Sequence, residues 1–217
     1  MSGKIFQQNS KMAKAGMLTY NFSLPAVVTC PGAGKCAEAG YCFALLEQLR
    51  YKSAMEYRQR MLDLSKTDQF VPLLNAELAN IRRRADGRPV AIRIHASGDF
   101  YEPKYLLKWC VIAEQNPDIH FYAYTKSIAM VRRFRKADMI PDNLVLILSM
   151  GSNQDELIDV ETDRHSRIFA TEEAALAAGY VLASEDDTIA WQSTHNKIGL
   201  VMFGARTRKG NMALGNV

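Results

Sequence analysis

Short apolar runs alternate along this chain with longer segments of helical spacing. Runs that are rich in β-forming residues predict strands at 17–25, 89–95, 119–124 and 144–150. Shorter strands are predicted at 167–170, 180–183 and 198–203. The run at 144–150 is almost wholly apolar, which is typical of a strand that is covered on both faces.

Helices are predicted between these strands. A first helix is expected over 43–64, and the segment from Ser65 to Asp68 has a capping-box pattern. After Asp68, apolar residues at helical spacing predict a second helix with one apolar face, which ends in the arginine cluster at 82–84. A third helix is expected from Pro103, which suits a first helical turn, to Asn116. A short basic helix that follows YTKS and ends at Lys136, and another over 171–178, are also expected.

Strands that alternate with helices favour an α/β fold with parallel strands and right-handed crossovers. In such folds, functional groups lie on the loops that follow the carboxyl ends of the strands. Here these loops are a cysteine-bearing segment after the first strand and the segments HASGDF (95–100), YTKS (124–127) and SMGSN (149–153). We therefore expect all four loops to surround one mouth.

Length and composition indicate a single domain over 1–217. Within it we expect a loosely ordered segment at 1–16, a β/α core at 17–205 and a polar tail at 206–217. The chain has no apolar run of about 18 residues, and its first residues lack the apolar region of a secretory signal. The sequence thus predicts a cytoplasmic protein with no membrane partner; it does not predict an oligomeric state.

Three of the four cysteines lie in one glycine-bearing segment, with five residues between Cys30 and Cys36 and five between Cys36 and Cys42. In a reducing compartment, clustered cysteines are more typical of a metal site than of disulfides. Soft thiolates on a loop that can bend predict a [4Fe–4S] cluster. With three protein thiolates, one iron is open to a small molecule or to a fourth side chain such as His95.

Two alternatives to the cluster stay open. Zinc could bind the three thiolates with His95 or His120, although the short cysteine spacing usual for zinc is absent. The three cysteines could also be unligated. The fourth cysteine, Cys110, lies on the apolar face of a predicted helix, and we expect it to be buried and structural.

Polar side chains at the later strand ends are candidates for catalysis and binding. His95 and Asp99 follow one strand and could form an acid–base pair. Alternatively, Asp99 caps the next helix and His95 is an interior group. Lys126 could bind a carboxylate or a phosphate, or be an ordinary surface lysine. Candidates for binding a cofactor or a small ligand at these ends are Tyr124, Ser149 and Asn153.

The formal net charge of +4 is mild, but the basic residues are clustered at 82–88, 132–136 and 206–209. Such clusters can bind nucleic acid, although they also occur where cations complement helix dipoles. A second hypothesis follows from them. The chain could be a non-catalytic protein that binds nucleic acid or a host protein, with a structural cluster or zinc.

The order of strand, three-cysteine loop and helix resembles the radical S-adenosylmethionine superfamily. The resemblance implies a partial (β/α) barrel, a cluster on the three cysteines and S-adenosylmethionine on the fourth iron. Tyr41 stands where that superfamily has an aromatic residue before the last cysteine, and Ser97 and Gly98 lie where its glycine-rich motif binds the cofactor. The cysteine spacing differs, since the superfamily has three residues and then two, and HASGDF replaces a glycine–glycine–glutamate motif.

Residues 20–150 are also similar to a group of bacteriophage and plasmid proteins of the gene product 88 type. The shared features are Leu24-Pro25, the CPGA sequence at 30–33, an RIHxSGDF-like stretch at 93–100 and YTKS at 124–127. Members often carry further cysteines near the C-terminus, where this chain has none. The resemblance implies a phage or mobile-element origin, and so a host cytoplasm, but no established reaction. An iron–sulfur protein is the favoured hypothesis, with radical-type chemistry on an unknown substrate as the first reaction to test if it is an enzyme.

Overall fold

The computed structural model describes residues 4–8, 18–34, 37, 42–183, 188–192 and 194–201. Its strands are β1 (Gln7–Gln8), β2 (Leu18–Ser23), β3 (Val90–Ser97), β4 (Ile119–Thr125), β5 (Leu144–Ser149), β6 (His165–Phe169), β7 (Val181–Leu182) and β8 (Lys197–Val201). Its helices are α1 (Phe43–Arg50), α2 (Lys52–Ser65), α3 (Phe70–Ala85), α4 (Pro103–Glu114), α5 (Ile128–Lys136), α6 (Glu172–Ala177) and α7 (Ile189–Gln192). None of these helices is long and apolar enough to cross a membrane.

Within the described ranges the strands form one sheet in the order β1-β2-β3-β4-β5-β6-β8-β7. Every neighbouring pair from β2 onward is parallel, and β1 pairs antiparallel with β2. The predicted α/β fold with parallel strands is confirmed, and β2 to β6 neighbour one another in chain order. In the described residues the edge strands β1 and β7 do not pair, so the sheet is open and the barrel-like form stays a prediction.

Each face of the sheet carries a hydrophobic core. On one face, alternate strand residues such as Ile92, Phe121 and Leu146 pack against the large side chains of α2 to α5. On the other face, a smaller core combines Tyr122 and Ile147 with residues of α7. Coverage of both faces explains why β5 is a continuous apolar run. Full burial of each large apolar side chain contributes about 1.5–3 kcal/mol to stability.

The helical segment after the cysteine loop differs from the prediction. The single helix expected over 43–64 is two helices, because Tyr51 takes an extended backbone conformation between them. The predicted capping box at Ser65 is also wrong. The Ser65 hydroxyl donates to the carbonyl of Leu62 and also pairs with the Tyr101 hydroxyl, and α3 begins after Gln69 without a side-chain cap.

Phe6 belongs to the core, Ile5 packs against it and Gln7–Gln8 pair with β2, so the expectation of a loose segment at 1–16 is wrong for 5–8. Phe6 is only 1% exposed and lies edge-on against Phe22, with ring centroids 6.2 Å apart. The Tyr57 hydroxyl donates to the carbonyl of Ile5 at 2.6 Å. Since a single aromatic residue in a polar stretch has no periodicity, the sequence pattern could not reveal this contact.

Candidate functional site

A pocket of about 500 Å³ opens at the carboxyl ends of the parallel strands. This is the position at which the sequence predicts the site. The predicted site residues that line the pocket are Cys30, Cys42, His95, Ser97, Gly98, Asp99, Tyr124, Lys126 and Ser149. Cys36 and Tyr41, which were also predicted, lie outside the described residues.

The half-buried side chains of Cys30 and Cys42 both line the pocket. Burial raises the pKa of Cys30 to about 12, with smaller contributions from the charges of Asp99 and Cys42. The two thiols therefore interact electrostatically. Among the described residues no group of three or more His, Cys, Asp or Glu side chains is arranged to hold a metal. Because Cys36 is outside this set, the three-cysteine centre stays a prediction.

Two consecutive turns carry Cys30 back over the sheet after β2 ends. The Cys30 amide donates to the Val27 carbonyl at 3.0 Å, and the Ala33 amide donates to the Cys30 carbonyl at 3.1 Å. Val27 has a φ of 69°, which is strained for a β-branched residue. The buried Thr29 hydroxyl donates to the Pro25 carbonyl at 2.7 Å and closes the first turn.

Glycines allow the other loops to pack directly on the cysteine loop. A Cβ at Gly32 would lie 2.0 Å from the carbonyl oxygen of Lys126. A Cβ at Gly98 would lie 2.6 Å from both the Cβ of Leu24 and the Oγ1 of Thr29, and Gly98 has a φ of 83°. These positions need glycine for close approach. Gly98 thus seats the cysteine loop, in addition to lining the pocket where a cofactor was predicted.

Asp99 ties the loops after β3 and β4 together. Its carboxylate accepts hydrogen bonds from the Phe100 amide at 2.7 Å, the Thr125 hydroxyl at 2.6 Å and the Lys126 amide at 2.7 Å. Burial raises the pKa of Asp99 to about 6, although these hydrogen bonds oppose the rise. The alternative role as a helix cap is wrong, because Glu102 occupies the N-cap position of α4.

His95 lies at an irregularity in the sheet, with a φ of 65°. Asn21 pairs with Arg93 but Ser23 pairs with Ser97, so β3 has two extra residues at this point. The imidazole Nε2 hydrogen-bonds the Tyr105 hydroxyl at 2.9 Å. Burial lowers the pKa of His95 to about 3, so the ring is neutral. His95 and Asp99 both line the pocket, but their described hydrogen bonds go to different partners and do not join the two side chains.

Lys126 and Ser149 meet at the rim of the pocket. The Lys126 Nζ donates to the Ser149 hydroxyl at 2.7 Å and to the Met150 carbonyl at 3.1 Å. Lys126 is therefore anchored within the pocket, in contrast to an ordinary surface lysine. Asn153, a predicted ligand-binding residue, instead contacts the cysteine loop. The backbone amide of Asn153 donates to the Gly32 carbonyl at 3.3 Å.

Two features of the pocket were missed by the sequence analysis. Arg93 lines it from the middle of β3, with its guanidinium 5.3 Å from the centroid of the Tyr124 ring. A charged residue between the apolar residues Ile92 and Ile94 of the strand was the available signal. An apolar wall comes from the ends of β6 and β8, and is formed by Ile168, Leu200 and Val201.

The described basic clusters lie at the C-terminal ends of α3 and α5, and several of their charges are paired within the chain. Arg82 binds Asp118 through two hydrogen bonds of 2.6 Å. Arg132 and Arg135 both bind Asp163, at 2.7 and 3.0 Å. The cluster at 206–209 lies outside the described residues. Nucleic-acid binding stays a prediction.

Cys110 is buried on α4, as predicted. It is 4% exposed and belongs to the core between α4 and its neighbours. Burial raises the pKa of its thiol to about 11, so it stays a neutral core side chain. Cys110 therefore provides a matched control for experiments on the pocket cysteines.

Comparisons with known proteins agree with the phage resemblance. A family model described as Gene product 88 matches residues 4–211, and the chain belongs to this family. The Gene 88 protein of Mycobacterium phage L5 is 33% identical over 103 residues, which are 45% of this chain and 43% of that protein. The Gene 88 protein of Mycobacterium phage D29 is 30% identical over 103 residues, which are 45% and 42% of the two chains.

The matched segment thus spans less than half the length of these curated relatives. Both relatives are bacteriophage proteins, which supports the predicted bacteriophage origin of the family. No solved structure matches this chain.

Proposed function

We propose that this member of the Gene product 88 family is an iron–sulfur protein that binds a small molecule in its pocket. Cys30, Cys36 and Cys42 would hold a [4Fe–4S] cluster, with one iron open to the ligand. The observation that carries the proposal is that Cys30 and Cys42 line one pocket at the carboxyl ends of the parallel strands.

The described residues fit such a centre. Thiolates are the preferred ligands of iron–sulfur clusters. Because burial raises the pKa of Cys30 to about 12, its thiolate needs a nearby cation, and a metal ion supplies that charge. The pocket volume of about 500 Å³ lies within the range usual for small-molecule sites.

S-Adenosylmethionine is the first ligand to test at the open iron. The cluster would supply the electron for its reductive cleavage. The chain's own residues would hold the ligand and limit water. Ser97, Gly98 and Tyr124 line the pocket, and Asp99 fixes the loop that carries Lys126 through its hydrogen bond to the Lys126 amide.

The metal is tested by anaerobic purification with iron and sulfide analysis and electron paramagnetic resonance. We expect iron and acid-labile sulfide in the wild type, and their loss in Cys36→Ser and Cys42→Ser. Cys110→Ala is the matched control and should keep full iron content, since Cys110 is buried away from the pocket lining. A colourless protein that contains one zinc ion per chain would overturn the proposal.

The enzyme hypothesis needs a separate measurement. Dithionite-reduced protein should bind S-adenosylmethionine in calorimetry and release 5′-deoxyadenosine. If a protein that carries the cluster neither binds S-adenosylmethionine nor releases 5′-deoxyadenosine, S-adenosylmethionine is removed from the proposal and the cluster stays in it.

A further inference from the structure

We propose that the pocket takes an amphipathic anion, with its carboxylate at Lys126 and its apolar chain on the wall of Ile168, Leu200 and Val201. The inference deepens the proposed function, and rests on it only in taking this pocket as the ligand site. It names the class of molecule that would bind in this pocket beside the proposed metal site. The subsite itself includes no cysteine, so it can be tested separately from the metal.

The first support is the charge of the pocket lining. Lys126 Nζ donates to two neutral oxygens among the described residues, and an ammonium group has three donors. One N–H is therefore available to an anion. Of the described lining residues Asp99 is the one acid, and its carboxylate already accepts three hydrogen bonds.

Arg93 adds a second positive charge deeper in the pocket. Arg93 pairs in register with Tyr122, which is four residues before Lys126. At about 3.3 Å per residue, Arg93 lies about 13 Å below the rim along the strand direction. Stacking over Tyr124 holds its guanidinium along the wall. Two cations and one satisfied carboxylate give the lining a positive balance.

The second support is the separation of the cation from the apolar wall. Ile168 and Leu200 pair in register at the ends of β6 and β8. The sheet order places these strands two and three positions from β4, which carries Lys126 at its end. At about 4.8 Å per strand, the wall begins about 10 Å from that end. A ligand that contacts both needs an anionic head and an apolar chain of this length.

A compact ion such as acetate would leave the apolar wall without a partner. A polyphosphate would place charge against that wall, which is unfavourable because buried charge needs pairing. The geometry therefore favours a monoanion with a hydrocarbon chain over either of these.

Calorimetry on the full chain tests the inference with octanoate, octanol and acetate as probes. We expect octanoate to bind about tenfold more tightly than octanol, because a hydrogen bond to a charged group is lost in the alcohol. Acetate should bind more weakly than octanoate. Leu200→Ser should weaken octanoate and octanol together, since it changes only the apolar wall.

Lys126→Met should lower octanoate affinity about tenfold and leave octanol affinity unchanged. Lys126 also forms hydrogen bonds that stabilise the fold, so Arg93→Met is a second variant. Removal of its charge should lower the affinity for octanoate about threefold. Arg133→Met, an exposed arginine on α5, is the matched control and should change nothing. Thermal unfolding of each variant identifies any that fail to fold.

Equal affinity for octanoate and octanol would overturn the inference, and so would absence of binding by both. If Lys126→Met fails to fold, unchanged octanoate binding by folded Arg93→Met would overturn it. Octanoate selectivity in a protein without iron would reject the proposed cluster and leave this inference standing. A protein that contains iron but does not prefer octanoate over octanol would support the proposed cluster and reject this inference.

Discussion

The packing of the cysteine loop on its neighbours predicts that Gly32→Ala disturbs the proposed metal site. An added Cβ would lie 2.0 Å from the Lys126 carbonyl oxygen, 2.6 Å from the carbonyl carbon and 3.2 Å from the Lys126 Cβ. The nearest atoms belong to backbone, so a rotamer change does not relieve the clash. Either the cysteine loop or the loop after β4 must move.

The size of the effect follows from what such a movement breaks. Overpacking of a tightly packed site costs about 1–3 kcal/mol, and a contact this short belongs at the upper end. Movement also endangers the hydrogen bond from the Asn153 amide to the Gly32 carbonyl, and the one from the Ser152 hydroxyl to the Lys126 carbonyl. We expect a loss of about 3 kcal/mol in the free energy of unfolding.

Urea unfolding followed by circular dichroism measures this loss, and iron and sulfide per chain report on the site. Gly87→Ala is the control, because Gly87 has a φ of 78° and nothing within 4 Å of an added Cβ. It should lose about 1 kcal/mol from backbone strain and keep its iron. Gly32→Ala with wild-type stability and wild-type iron content would refute the packing of these loops described above.

Two further predictions concern Asp99 and the N-terminal segment. Burial raises the pKa of Asp99 from 3.8 to about 6, so the folded state binds this proton more tightly than the unfolded state. The stabilisation that Asp99 gives the folded state is therefore fully present below the unfolded pKa and is lost as the pH rises through about 6. The total loss in the free energy of unfolding is about 3 kcal/mol. Asp99→Asn should remove this pH dependence of the free energy of unfolding, measured with urea between about pH 4 and 7. An unchanged pH dependence would contradict the assignment. Phe6→Ala should cost about 3 kcal/mol because Phe6 is buried against Phe22, whereas exposed Gln7→Ala should cost less than about 0.5 kcal/mol; equal losses would contradict this packing.

The strands and their parallel pairing could be predicted because their signal is local. A run such as Leu144–Ser149 is long, apolar and rich in β-formers, and alternation with helices implies parallel neighbours. The position of the site followed from the same rule, since loops at the carboxyl ends of parallel strands meet. The break at Tyr51 carried no comparable signal, because no glycine or proline marks it.

The surroundings of His95 could not be predicted, for a definite reason. Strict alternation in β3 would place His95 on the same face as Arg93. The sheet irregularity at this point and the positive φ of His95 break that alternation. The imidazole instead packs 4.6 Å from Phe100 and 5.6 Å from Tyr105, by ring centroids, next to the core on the helix side. Its neutral state follows from that burial.

The positions of the described thiols depend on contacts outside the cysteine loop more than on cysteine spacing. Cys30 is fixed by turns that rest on Gly98, while Gly32 rests on the loop after β4. Cys42 immediately precedes α1, and α1 is joined to the start of the loop by the hydrogen bond from the Ala26 amide to Gln48. These contacts hold both thiol-bearing ends of the loop in place. The unusual five-residue spacing is therefore compatible with two thiols that face one pocket.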